Sequence, residues 1–340
     1  MHAEWSIDDF LARARELPVL DVRTPAEFAS GHIPGAVNLP LFSDVERVEV
    51  GTAYKQQGRE TAVRLGLERV APKMTSLADR LLETSASSGG ELLIHCWRGG
   101  MRSGSVAWLA GTLGVRAATL GGGYKAFRRK VLESFSSQRE IRVVAGLTGT
   151  GKTAILRALA AAGEPVIDLE SLACHKGSAF GDLGESPQPR QEQFENELAM
   201  AWMALDPARP VWIEDESRMI GKCVIPPALW EQKCRARFAV VEIPGPARIG
   251  NLREVYEGFT LEQLAPRIEA IRGRLGGDRA NKAVAALRDG DPEAACSLLL
   301  TYYDRAYQKG LAEIPADRVS AHRFDHSDPA MIAADLMQHI

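Results

Sequence analysis

The sequence predicts an α/β protein of two domains, each built on a mainly parallel sheet, with a helical C-terminal part. Two apolar runs each lead into a glycine-rich loop and then into a helical pattern, and such strand–loop–helix units build parallel sheets. The chain has 340 residues, more than one ordinary core encloses. A short polar stretch lies between the two units.

The first unit begins at Leu92-Leu93-Ile94, runs through His95-Cys96-Trp97-Arg98-Gly99-Gly100-Met101-Arg102-Ser103, and continues with Val106, Ala107, Leu109, Ala110 and Leu113 at helical spacing. The second begins at Ile141-Arg142-Val143-Val144-Ala145, passes through Gly146-Leu147-Thr148-Gly149-Thr150-Gly151-Lys152-Thr153, and continues with Ile155, Leu156, Leu159 and Ala160. The polar stretch Glu133 to Arg139 places the domain boundary at 137/138, giving domains 1–137 and 138–340. Ser85-Ala86-Ser87-Ser88-Gly89-Gly90 reads as a surface loop inside the first domain. From about Leu261 onward the pattern is mostly helical.

Composition excludes several classes. With 45% hydrophobic and 25% charged residues the chain is an ordinary globular one, not a disordered, collagenous or coiled-coil one. No apolar run approaches the ~18–20 residues that cross a bilayer, and Met1-His2-Ala3-Glu4-Trp5 has no basic or apolar signal region. Five cysteines with no metal-ligand spacing fit a reducing cytosol better than a disulfide scaffold. The net charge of −3 means that a nucleic-acid partner has to be held by a local basic patch.

Cys96 ends a strand and opens a loop with two glycines and two arginines. Successive backbone N–H groups, the following helix N-terminus and Arg98 or Arg102 all favour a thiolate there. The same cradle, made of Arg98, Gly99, Gly100, Arg102 and Ser103, suits an oxyanion beside the sulfur. Cys174, Cys223, Cys234 and Cys296 stand in no such loop and read as inert thiols.

Gly146, four residues, then Gly151-Lys152-Thr153 is the Walker A pattern between a strand and a helix, where it makes a phosphate site. Gly146, Gly149 and Gly151 let backbone N–H groups face phosphate oxygens, Lys152 adds a point charge, and Thr153 is a candidate Mg²⁺ ligand. An acid that ends a neighbouring strand is expected beside it. Asp215, within Glu214-Asp215-Glu216, and Asp168, after Val166-Ile167, are the candidates. No residue stands out to position an attacking water, so the motif implies phosphate binding rather than hydrolysis. Lys125, Arg128, Arg129 and Lys130 form the densest basic cluster and are candidates for contact with the phosphate backbone of a nucleic acid. The arginines of the C-terminal helices are interleaved with acids and read as a solvated face.

Two families carry a loop like that of Cys96. His95-Cys96, five residues, then Arg102-Ser103 fits the pattern of the cysteine phosphatases. Asp21-Val22-Arg23-Thr24-Pro25-Ala26-Glu27-Phe28 with Gly31-His32-Ile33-Pro34-Gly35-Ala36-Val37-Asn38 instead resembles the rhodanese domain of sulfur transferases, a likeness that extends over residues 14–135. There Asp21 closes a strand, while Glu27 and His32 brace the site. The loop is one residue longer than the common rhodanese form, which suits a phosphorus- or selenium-bearing donor and also keeps the phosphatase reading open.

A rhodanese-like unit joined to a P-loop unit is an uncommon pairing. Together with Leu41 to Arg47, Val50 to Gln56, Leu120 to Phe127, Asp168 to Glu170 and His175 to Gly181, it makes the whole chain resemble the tRNA 2-selenouridine synthases. The resemblance implies a bacterial cytosolic transferase acting on tRNA with 2-thiouridine at the wobble position. It replaces the sulfur of a 5-substituted 2-thiouridine by selenium from selenophosphate, through an S-geranyl intermediate made from geranyl diphosphate. Cys96 would carry the selenium as a perselenide, and the loop would hold the phosphate of selenophosphate. The P-loop would hold the donor diphosphate or a tRNA phosphate. No tightly bound cofactor is expected beyond Mg²⁺ at Thr153, and a selenophosphate-producing enzyme is the implied functional partner. The alternatives are a sulfurtransferase with a regulatory nucleotide domain, a cysteine phosphatase, or a nucleotide-binding module with a rhodanese docking platform. Cys96 argues against the last, because inactive rhodanese modules usually lack the cysteine.

Overall fold

The computed structural model describes residues 3–339. They fold as two compact units, one running to Ser134 and including Glu195–Met200, the other made of Phe135–Phe194 and the chain from Ala201 onward. Division of the sequence at 137/138 does not anticipate that Glu195–Met200 packs with the first unit. Asn196, fully buried there, donates from Nδ2 to the Tyr124 hydroxyl at 2.8 Å and to the His32 carbonyl at 2.9 Å.

The first unit is built on β1 (Ala3–Trp5), β2 (Val19–Asp21), β3 (Val37–Asn38), β4 (Glu91–His95) and β5 (Arg116–Leu120). These lie in the order β1-β5-β4-β2-β3, and every neighbouring pair is parallel. β4 is central, and Leu92 to His95 are buried, as a strand covered on both faces requires. Leu20, Ile94, Val106, Leu81 and Phe42 form the core over it. Helix Pro25–Ser30 starts with Thr24 and Glu27 satisfying each other's backbone N–H groups, and helix Asp44–Gln57 starts the same way with Ser43 and Glu46. Gly58, at φ 91°, ends the latter and begins helix Arg59–Val70.

The second unit contains β6 (Ile141–Ala145), β7 (Val166–Ile167), β8 (Val211–Glu214), a short antiparallel pair β9 (Met219–Ile220) and β10 (Cys223–Val224), then β11 (Arg237–Glu242) and β12 (Val319–Arg323). The main sheet has the order β12-β11-β6-β8-β7 and is parallel throughout. β6 is its middle strand, so the loop after it emerges from the centre of the sheet. Both units are thus the expected α/β class. The C-terminal part is helical over Leu261–Ala270, Arg272–Leu275, Gly277–Arg288, Pro292–Ala312 and Pro329–His339, and β12 interrupts it. That strand is an edge with no fully buried residue, and its sequence, Val-Ser-Ala-His-Arg, carries only a short, weakly apolar alternation. Among the described residues no helix is long and apolar enough to cross a membrane.

Candidate active sites: a thiol cradle and a phosphate loop

Cys96 follows β4 directly and is 3% exposed. Its Sγ lies 3.2 Å from the Ser103 hydroxyl, at the start of helix Met101–Thr112. Burial alone would raise the thiol's pKa. The Ser103 hydroxyl and the backbone N–H groups of Ser103, Arg98 and Gly100 outweigh it and hold the thiol below its ordinary value. The thiolate is thus favoured by a hydroxyl and backbone amides.

The cradle is held from behind by Gly121-Gly122-Gly123. The Tyr124 N–H donates to the Cys96 carbonyl at 2.8 Å, and the Lys125 N–H donates to Trp97 at 3.0 Å. The two backbones touch closely. A Cβ on Gly99, whose φ is 65°, would come within 2.5 Å of the Leu120 carbonyl. A Cβ on Gly123, whose φ is 59°, would run into the Cys96 carbonyl and the Gly99 and Arg98 nitrogens.

The two arginines part company. Arg98 is exposed at the cradle. Arg102 instead turns to Glu27, with Nη1 2.7 Å from Oε2 and Nη2 3.4 Å from Oε1. Burial raises the Glu27 carboxyl, but Arg102 and the Thr24 N–H overcome this and bring it below its usual range. Arg102 is therefore a positively charged strut already paired within the fold, and the cradle's remaining donors are its amides, Ser103 and Arg98. Glu27 braces the site as the sequence leads one to expect.

Under the cradle lies a fully buried ion pair. Arg23 donates to Asp21 at 2.6 Å and to the Gly31 carbonyl at 2.7 Å, and its guanidinium stacks 3.7 Å from the Tyr124 ring centre. Removing one partner of such a pair destabilises by about 3–5 kcal/mol. His95 sits beside it, 3.6 Å from Asp21. Burial pulls the imidazole pKa down to about 4 against the attraction of Asp21, so the ring is neutral and packs rather than titrates.

In the second unit Gly146, Gly149 and Gly151 all have positive φ, and Gly151 enters helix Lys152–Ala161. The loop is braced from helix Gly245–Tyr256. Arg248 donates to the Thr148 carbonyl at 2.9 Å and pairs through both Nη atoms with Asp304, and Asn251 donates to the Gly149 carbonyl at 2.9 Å. The Gly146 N–H donates to the Tyr307 hydroxyl at 2.7 Å, and Lys152 folds back onto the Gly146 carbonyl at 3.0 Å. Sequence reading puts Arg248 with the other C-terminal arginines on a solvated face, whereas it is buried against the loop; it passes over Asn251, Asp304 and Tyr307, because they come from far along the chain and match no motif.

Neither of the two acids expected beside the loop meets Thr153, and Asp215 reaches the loop only through the Tyr307 hydroxyl. Asp168 caps helix Leu169–Ala173 by accepting from the Ser171 N–H at 2.7 Å. Asp215 pairs with Lys233 at 2.6 Å and accepts from Tyr307 at 2.7 Å. The carboxylate that meets Thr153 is Glu170, at 2.8 Å from Oγ1. Glu214, at the buried end of β8, accepts from the Glu170 N–H at 2.8 Å, and burial drives its pKa well above the usual range. Glu216 is raised to about 8, first by burial and then by Glu170, so it is mostly protonated at neutral pH. Glu170 could have been found two residues after Asp168, since the strand ends one position before that cap.

In the basic cluster, Arg128 pairs with Glu195 at 2.5 Å and also meets the Asn196 side-chain carbonyl, while Lys130 pairs with Asp8 at 2.7 Å. Lys125 and Arg129 are exposed and share a face of helix Gly123–Ser134.

The parallel sheet with a thiol at the end of its central strand, and the second sheet with a phosphate loop, define a rhodanese-type unit joined to a P-loop unit. A rhodanese-like domain model matches residues 6–130, and a model described as the tRNA 2-selenouridine synthase AAA domain matches 139–327. The tRNA 2-selenouridine synthase of Bdellovibrio bacteriovorus is 36% identical, covering 92% of this chain and 95% of its own length. That of Marinobacter nauticus is 34% identical, covering 90% and 92%. The chain belongs to the tRNA 2-selenouridine synthase family of tRNA-modifying enzymes.

Proposed function

We propose that the enzyme replaces the sulfur of a 5-substituted 2-thiouridine at the tRNA wobble position by selenium, in two steps. First, the thione sulfur attacks the allylic carbon of geranyl diphosphate. The carbon–oxygen bond breaks and diphosphate leaves. Second, the selenium of selenophosphate attacks C2 of the base, the C2–S bond breaks and the geranyl thiolate departs; water then cleaves the P–Se bond and phosphate leaves. Thione sulfur is a poor leaving group and an alkylated sulfur a good one, which is why alkylation comes first.

The observation that carries the reading is the Cys96 thiol, held below its ordinary pKa inside a ring of backbone N–H groups. This thiol lies at the cradle that receives selenophosphate, and the second step depends on it. The amides of Arg98, Gly100 and Ser103, with the Arg98 guanidinium, receive the phosphate of selenophosphate. A phosphatase reading has less support, because the arginine of its pattern, Arg102, is paired with Glu27. Lys152 and the amides around Gly149 and Gly151 take the diphosphate of the geranyl donor. Thr153 and Glu170 offer adjacent hard oxygens that suit Mg²⁺, which when bound would neutralise diphosphate charge. Lys125 and Arg129 meet the tRNA backbone. A selenophosphate-producing enzyme supplies the donor.

The test is mass spectrometry of nucleosides from 2-thiouridine tRNA incubated with enzyme, selenophosphate and geranyl diphosphate. Wild type yields 2-selenouridine. Cys96→Ser stops at the S-geranyl nucleoside. Undiminished 2-selenouridine from the folded variant would refute the role of Cys96.

A further inference from the structure

Beside the phosphate loop, the second unit contains a cavity of about 360 Å³. It lies among helices Gly245–Tyr256, Leu261–Ala270, Gly277–Arg288 and Pro292–Ala312. Leu252, Phe259, Leu264, Ile268 and Leu299 are among the apolar residues that line it, and Thr148 of the phosphate loop lines it too. The charged lining residues, Arg253 and Glu257, are both exposed. An apolar space of this size is not ordinary packing, since interiors hold few voids larger than a water molecule. It falls within the range of ligand sites.

We infer that this cavity takes the hydrocarbon tail of a prenyl diphosphate whose diphosphate sits on the loop; the inference rests on the proposed reading of that loop. The juxtaposition selects the ligand. An anion site that continues into an apolar cavity fits a molecule with a phosphate head and a hydrocarbon chain. A nucleotide fits poorly, because its ribose and base would bury more polar groups than the mostly apolar walls can satisfy, the chief partners being the hydroxyls of Ser178, Tyr256 and Tyr303. A tRNA phosphate would leave the cavity without a role.

The test is binding to the full-length enzyme, with Mg²⁺ and without tRNA, by calorimetry. The probes are geranyl, dimethylallyl and inorganic diphosphate, with ATP for comparison. Geranyl diphosphate is expected to bind at least about tenfold more tightly than dimethylallyl diphosphate, because each methylene taken from water is worth on the order of a factor of four. Leu299→Trp fills the cavity and should remove most of that preference, while inorganic diphosphate, which reaches only the loop, reports that the variant is folded. Cys296 lines the same cavity and supplies a readout that needs no variant. Its alkylation in the wild type, resolved by peptide mass spectrometry, should slow severalfold with geranyl diphosphate and not with inorganic diphosphate.

If inorganic and geranyl diphosphate bind equally and Cys296 is not protected, the cavity assignment falls and the loop's diphosphate role stands. If no diphosphate binds, the reading of the loop falls with it. ATP binding as tightly as geranyl diphosphate would also overturn the assignment.

Discussion

The Ser103 hydroxyl lies 3.2 Å from the Cys96 sulfur and 3.2 Å from the Gly100 carbonyl, so one side chain ties the nucleophile to the turn that surrounds it. Its contribution to the thiolate is measurable. A hydrogen bond to a charged group is worth roughly 1.5–3 kcal/mol, so Ser103→Ala should raise the thiol pKa. The thiolate forms as pH rises through the pKa. Wild-type alkylation at Cys96 should therefore level off at a lower pH than that of an ordinary thiol, and the Ser103→Ala profile should move to higher pH. Coincident profiles would show that the backbone N–H groups alone set the thiolate.

The close packing behind the cradle makes a second prediction. Gly114 and Gly123 both have positive φ, at 80° and 59°, but a Cβ on Gly114 meets nothing within 4 Å. Alanine at either position carries the backbone strain of about 1–3 kcal/mol. Gly123→Ala should lose more stability than Gly114→Ala in denaturant melts and, unlike it, abolish rapid alkylation of Cys96. Equal destabilisation with normal thiol reactivity in both would contradict the close approach.

The basic cluster divides by pairing. Lys125 and Arg129 face solvent, whereas Arg128 is tied to Glu195 and Asn196. Replacing Lys125 and Arg129 by alanine should flatten the dependence of log tRNA affinity on log salt by about one for each phosphate no longer neutralised. Arg128→Ala should leave the slope alone and lower stability instead, by roughly 1–3 kcal/mol. A slope that follows Arg128 and ignores the other two would place the tRNA backbone elsewhere.

The sequence makes legible whatever is local along the chain. The strands β4 and β6, the loops after them, Cys96 and Lys152 all lie in segments whose apolar run, glycines and following helix are contiguous. What it conceals comes from distant segments. Tyr307 and Arg248 reach the phosphate loop from 161 and 100 residues away, and only packing brings them there. Arg102 reads as an anion ligand because its partner Glu27 lies 75 residues upstream. Asp168 and Asp215 stand where a strand-end acid belongs, yet the first is used as a helix cap and the second by Lys233 and Tyr307, which leaves Glu170 at Thr153. β12 escapes because an edge strand exposed to water needs no apolar alternation.

In the proposed reaction the phosphate loop serves the first of the two chemical steps alone. An allylic diphosphate ionises only as its departing diphosphate is stabilised, and Lys152 with the loop amides is placed to do that. The cradle of Cys96 lies in the other compact unit, has its own donors and needs no help from Lys152. Lys152→Ala should therefore slow geranylation of 2-thiouridine tRNA by roughly 10²–10³-fold, the usual effect of removing one donor from a developing negative charge. Selenium transfer to tRNA that already carries the S-geranyl group should stay within about a factor of three, a change of less than 1 kcal/mol. Glu170→Ala removes the carboxylate at Thr153 and should act on the same step as Lys152→Ala, since both meet the diphosphate side of the reaction. The two half-reactions are to be assayed separately, each with and without ATP or GTP. Equal slowing of both would mean that the loop clamps a tRNA phosphate, and a strict nucleotide requirement would mean that it binds a regulatory nucleotide. A defect confined to geranylation, with no response to nucleotide, is the outcome expected of a loop that holds the prenyl donor.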